Sequence, residues 1–220
     1  MRASTIGNSA LIPVTGIEAV KWFALGAMLI EHVYRYVLDV FPFWVFLIGR
    51  SVFPLFALSL AFGLAGSWQT ARPQRVIQRL LVWTVIAAAA RAFVLPAMPL
   101  NVLFTLAAGC VVYLCALRGG WWSLLIAAVS CALSGFAEFG IFGAFAVAAA
   151  MAYADHRGRW WLAISLACVC ASQAAIAPLA ALPIAWAVSR VADGVPRVSG
   201  AFYWSYVGQW PLLAFLRVLS

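Results

Sequence analysis

Glu31 and His32 stand side by side in a run that is otherwise mostly apolar, and Arg35 follows within one helical turn. A carboxylate beside an imidazole suits general-base chemistry: the acid orients the ring or stabilises its cation, and the ring takes a proton near neutral pH. Glu31 and Arg35 are spaced i, i+4 with the acid nearer the N-terminus, the favourable order for a helical ion pair. Tyr36 shares that face. Arg50, Arg91 and Glu138 interrupt other apolar runs, and Asn101 and Thr105 open another. Pro54 lacks the N–H that would bond the Arg50 carbonyl, which leaves that oxygen free beside its own guanidinium. A kink there would open space around Arg50. Charges inside apolar runs are costly and by default mark function.

The elements that must position these groups follow from composition. Of 220 residues, 66% are hydrophobic and 9% charged, and the mean hydropathy is +1.03. A soluble domain carries roughly 25% charged residues, so a soluble enzyme, a disordered chain and a secreted disulfide scaffold are excluded. The runs are apolar throughout and do not alternate, which argues against a β-barrel. The expected class is an all-α polytopic transmembrane bundle. Residues 1–16 form a polar cytoplasmic segment without the apolar core of a signal peptide, and 17–218 form one transmembrane domain.

Nine spans are predicted, at 17–38, 43–66, 76–95, 100–117, 121–135, 138–154, 160–176, 178–192 and 201–218. Pro and Gly mark most breaks, at Phe41-Pro42, Pro96, Pro99, Gly119-Gly120 and Pro178. Arg72, Arg75, Arg79, Arg118, Arg157, Arg159, Arg190 and Arg197 fall in or beside alternate loops, while the intervening loops hold no Lys or Arg. The positive-inside rule then places the N-terminus in the cytoplasm and the C-terminus outside. In that orientation Glu31, His32, Arg50, Arg91, Asn101, Thr105 and Glu138 all reach the outer half of the membrane, from five different helices. Such clustering by depth implies one buried polar site.

Blander readings exist for parts of this set. Glu31 and Arg35 could pair only to hold helix register, and Arg91 could snorkel to headgroups. His156, between Asp155 and Arg157, reads as a solvated loop residue. The five cysteines sit in apolar runs at spacings that match no metal framework, so no metal is expected. The net charge of +8 fits cytoplasmic Arg and anionic lipid, not nucleic acid. The same Arg cluster (Arg72, Arg75, Arg79, Arg157, Arg159) would also suit the phosphates of a nucleotide-like cofactor. Ala-rich spans and Gly140-x-x-Gly143 suggest close helix packing.

Several stretches resemble the TraX family. IEAVKWFALGAMLIEH from Ile17 resembles that family's "lKw.al..MliDH", and IGRSVFPLFALSL from Ile48 its "iGR.afPlFaf". RVIQRLL from Arg75, LNVLFTLAAG from Leu100 and AEFGIFG from Ala137 are similar to its "kYl.RLl", "lNilfTlllg" and "aDYGifGv". FYWSYVGQWPLL from Phe202 takes the place of "fYafYP.HLl". Glu31 replaces the family's Asp, and Gln209 stands where its last-span His is expected. The resemblance implies acetyl transfer at the bacterial inner membrane, from cytoplasmic acetyl-CoA to an outside acceptor. The family is named for an F-pilin N-acetylase of conjugation systems, so the implied acceptor is the amino terminus of a pilin-like protein. A hydroxyl of an envelope glycan is the alternative acceptor, and an ion-coupled transporter the alternative class.

On that expectation His32 is the general base and Glu31 its orienting acid, with Arg50 and Asn101 as stabilisers of the oxyanion. Arg35, Thr105, Glu138 and Gln209 support them. Arg72, Arg75, Arg79, Arg157 and Arg159 hold the acetyl-CoA phosphates.

Overall fold

The computed structural model describes residues 11–92, 100–156, 158–191, 195 and 200–219. These fold into nine α-helices without a strand: α1 (Ile17–Tyr36), α2 (Phe43–Leu64), α3 (Arg72–Ala92), α4 (Val102–Arg118), α5 (Trp121–Ser134), α6 (Gly140–His156), α7 (Arg159–Gln173), α8 (Ala181–Val191) and α9 (Ala201–Leu219). Short 3-10 turns precede α1 (Val14–Gly16) and α8 (Ala177–Ala180). Each helix coincides with one predicted apolar run. The largest offset is at α3, which begins at Arg72 and not at 76. There the Thr70 hydroxyl accepts from the Arg72 N–H at 3.1 Å and Pro73 follows, so the helix starts in polar sequence that hydropathy passes over. Pro96, Pro99, Arg157 and Arg197 lie outside the described residues.

Among the described residues, Phe43–Leu64 is the helix long and apolar enough to cross a membrane by length and composition. Val102–Arg118, Trp121–Ser134 and Ala177–Val191 are apolar but shorter. α2 lies at the centre, packed by α1, α6, α8 and the 3-10 turn before α8. α9 closes the bundle against α1 and α3. The periphery is unusual for a protein in water. In α5 only Ser134 is buried, and Trp121, Trp122, Leu124, Ile126 and Val129 face outward.

Close approach between α4 and α6 depends on small residues. A Cβ on Gly109 would run into the Val147 side chain and lie 2.8 Å from the Ala144 carbonyl oxygen. One on Gly143 would lie 2.7 Å from the Thr105 methyl, so this half of the expected small-residue pair does pack. Gly140 instead has φ +59 and open space around its Cα; its role is the turn into α6. Leu100 and Ala137 form an isolated parallel bridge that ties the segment leading into α4 to the one leading into α6. Gly109→Val should therefore force α4 from α6 and lower stability by about 1–3 kcal/mol, the usual cost of overpacking. Thermal unfolding of the purified protein in detergent would read this as a lowered Tm, while Gly63→Ala, which meets nothing within 4 Å, should leave it near wild type.

Candidate functional site

His32 projects from the C-terminal half of α1 and is 8% exposed. Its Nδ1 lies 3.2 Å from the Oε1 of Gln209 on α9. The Gln209 amide is held by its other end, because Nε2 donates to the Tyr206 carbonyl at 2.9 Å. Oε1 therefore faces the imidazole, and an amide oxygen can only accept. The Nδ1 of His32 carries the hydrogen in this bond, and the neutral ring keeps its lone pair on Nε2. Trp210 packs on the same ring at 4.8 Å between centroids, and Tyr36 at 5.5 Å.

Arg91, at the end of α3, is 3% exposed. Its guanidinium reaches Glu138 at 3.5 Å and lies 5.1 Å over the Trp210 ring. The Arg91–Glu138 pair answers the snorkelling alternative: the cation is turned into the bundle. Glu31 pairs with Arg35 at 3.9 Å, but half of the Arg35 side chain is exposed, so the pair contributes little by itself. The Glu31 carboxylate also feels Arg50 and Glu138. Its position depends on Gly49: a Cβ there would lie 2.5 Å from Cδ and 2.6 Å from Oε2 of Glu31. Arg50 stacks on Phe46 at 5.1 Å.

Pro54 does leave the Arg50 carbonyl without its helical donor, but that oxygen is not free as expected. The Arg50 carbonyl, left without a helical donor, accepts from Gln173 Nε2 on α7 at 3.2 Å. α2 runs on through Pro54 as one helix. Gln173 was invisible to sequence reasoning, since nothing in its own surroundings points to α2. Gly49, Tyr206 and Trp210 were missed for the same reason, although Gly49 stands in the quoted IGR motif and Tyr206 and Trp210 in the quoted FYWSYVGQWPLL.

An open cleft of about 360 Å³ gathers Met28, Glu31, His32, Gly49, Val52, Phe53, Phe56, Val102, Glu138, Phe139, Tyr206 and Trp210. Of the expected catalytic set, it thus unites His32 and Glu31 with Glu138. Asn101 is placed beside it as the N-cap of α4: Oδ1 accepts from the Leu103 N–H at 3.0 Å, and Nδ2 donates to the Thr84 carbonyl at 3.1 Å. Thr105 is fully buried one turn further on. Its Oγ1, the Arg50 Nε and the Trp210 Nε1 are buried without a hydrogen-bond partner among the described residues. Buried polar atoms left in that state cost about 1–3 kcal/mol each, and two of the three belong to side chains in or next to this cleft.

A second, larger cavity of about 890 Å³ opens at the other end of the same helices. Glu18 and Lys21 of α1, Ser59, Leu60, Gly63 and Leu64 of α2, Arg72, Val76 and Arg79 of α3, and Phe202 and Tyr203 of α9 are among its walls. Lys21, absent from the expected phosphate-binding set, pairs with Glu18 at 2.7 Å. The structure brings Arg72 and Arg79 together here. It places Arg75 on the exposed side, with Nε donating to the Ala71 carbonyl at 3.4 Å, and Arg159 exposed at the start of α7.

Comparison with known proteins gives one finding. A family model described as TraX protein matches residues 16–217. No curated protein and no solved structure matches the chain.

Two substitutions test the geometry around His32. Gln209→Leu leaves the Nδ1–H of a buried ring unpaired and should destabilise the fold by about 1–3 kcal/mol, seen as a lower Tm. Gly49→Ala should displace the Glu31 carboxylate, and any function that needs Glu31 should fall as far as it does in Glu31→Ala.

Proposed function

The chain belongs to the TraX family, and from that premise we propose that it is a multi-pass inner-membrane acyltransferase. In this reading it moves an acetyl group from cytoplasmic acetyl-CoA to an amine outside, the amino terminus of a pilin-type protein. The observation that carries the proposal is the stacking of two cavities along α2, a basic one at the Arg72 end and a histidine-bearing one at the His32 end. Outward-facing apolar side chains on α5, α7 and α9 support lipid around the bundle, since soluble monomers rarely expose contiguous apolar patches above a few hundred Å². Alternation of Arg-bearing loops supports an N-terminus in the cytoplasm, and with it a cytoplasmic basic cavity.

Fit to the donor rests on charge. Arg72 and Arg79 supply two cations toward one cavity, and Lys21, paired with Glu18, lines it beside them. Arg would grip phosphates through paired N–H groups and Lys as a point charge. The pantetheine arm would then run along α2 toward the cleft. There the acceptor nitrogen attacks the thioester carbonyl, a C–N bond forms, the C–S bond breaks, and CoA leaves as the thiol. His32 takes the proton that the nitrogen loses, through the Nε2 that the Gln209 contact leaves free, and returns it to the departing sulfur. Glu31 stabilises the cation formed in between. Arg50 and the Trp210 N–H are the nearby donors without a hydrogen-bond partner that would suit the carbonyl oxygen as it gains charge. An acetyl group carried briefly on His32 is the other route the same residues allow.

Calorimetry of acetyl-CoA on the detergent-purified chain tests the donor assignment. Saturable binding is expected, weakened about tenfold or more in Arg72→Ala/Arg79→Ala, as loss of charge-assisted contacts predicts, and nearly unchanged in Arg75→Ala. No binding at millimolar donor, in protein shown to be folded, would overturn the reading. His32→Ala should bind the donor like wild type and transfer nothing. Full transfer by that variant would remove His32 from the chemistry.

A further inference from the structure

The two cavities have one lining residue in common among the described residues. Phe56 lines the basic cavity and the His32 cleft alike. It sits on the same face of α2 as Gly49, Val52 and Phe53 on one side and Ser59, Leu60 and Gly63 on the other, the spacing of one helical stripe. Seven residues separate it from Gly49 and from Gly63, about 10 Å along the axis in each direction. Its ring is 4% exposed and meets the Phe202 ring of α9 edge-on at 5.4 Å. Beyond it, toward His32, Phe53 and Phe139 stack at 4.0 Å with planes 9° apart, and Trp210 closes the α9 side.

We propose that Phe56, braced by Phe202, is the partition between the donor cavity and the His32 cleft, and that it limits the transferred group to a short acyl chain. This rests on the acyltransferase reading above. A thioester that enters from the basic cavity must bring its carbonyl past this ring before His32 can assist attack on it. The ring sits where α2, α9 and the cleft converge, so it can turn aside only slightly. The cleft behind it is walled largely by aromatic rings, those of Phe53, Phe139, Tyr206 and Trp210. The donor's phosphates are gripped elsewhere in that cavity, by Arg72 and Arg79. The partition should therefore act on transfer and leave affinity for the CoA moiety alone.

The test uses the full chain in detergent, with acetyl-, butyryl- and octanoyl-CoA as donors and hydroxylamine as the surrogate amine. The nitrogen of hydroxylamine bonds to the acyl carbon as the C–S bond breaks, giving a hydroxamate and CoA thiol, and the thiol is read by colour. Donor affinity is read separately by calorimetry. Wild type should bind all three donors within about threefold and transfer acetyl about fiftyfold or more faster than butyryl, within the range that added methylenes give in a tight pocket. Phe56→Ala should raise butyryl relative to acetyl about tenfold, and Phe56→Trp should cut acetyl transfer about tenfold, each with donor affinity unchanged. Phe202→Leu should shift the chain-length profile in the same direction as Phe56→Ala, which keeps the test intact if that variant misfolds. An identical chain-length profile in wild type and variants that all bind donor would overturn the partition alone. Bound acetyl-CoA that the wild type never cleaves would overturn the acyltransferase reading and the partition with it. No donor binding by folded wild type would overturn the acyltransferase reading and the partition with it, and the calorimetry separates the two failures.

Discussion

Arg91 brings a guanidinium into the bundle, and only 3% of its surface is exposed. A guanidinium in such a place is costly by several kcal/mol unless an anion and further contacts compensate it. Glu138 supplies the anion and the face of Trp210 a cation–π contact. These partners come from the turn before α6 and from α9, so neutralising one cation draws three distant parts of the chain to one point. The His32 ring packs on the same tryptophan. The histidine is thereby held by a structure whose collapse would strand a buried charge.

The polar residues divide their work around this point. Asn101 caps α4 and ties it to α3. Gln173 meets the carbonyl that Pro54 leaves open, and so ties α7 to α2. Gln209 joins α9 to α1 and at the same time decides which imidazole nitrogen is protonated. Three amide side chains of the same chemistry thus do two different things. Two satisfy backbone groups that would otherwise be buried unpaired. The third shapes the reactivity of its neighbour.

α2 is the shared wall. One helical stripe, from Gly49 through Val52, Phe53 and Phe56 to Gly63, runs from the Glu31 carboxylate to the basic cavity. Gly49 is small because a carboxylate lies against it, and Pro54 is tolerated inside the helix because an amide from α7 replaces the missing hydrogen bond. Within the run GRSVFPLF, Gly49, Val52, Phe53 and Phe56 lie on this one stripe.

Much of this could be read from the chain alone. Apolar runs broken by Pro and Gly locate the nine helices of the described residues, because helix length and hydrophobic period are local properties. Charges stranded in those runs single out Glu31, His32, Arg91 and Glu138, because an apolar sequence makes any charge conspicuous. Sequence could not say that Arg91 belongs with Glu138, that Asn101 is a cap while Gln209 faces His32, or that Lys21 joins Arg72 and Arg79 while Arg75 turns away. Gly49 and Phe56 carry no charge to betray them. Their importance arises from what lies across from them on α1 and α9. Pairings of that kind depend on how helices far apart in the chain are packed together, and only the tertiary structure decides them.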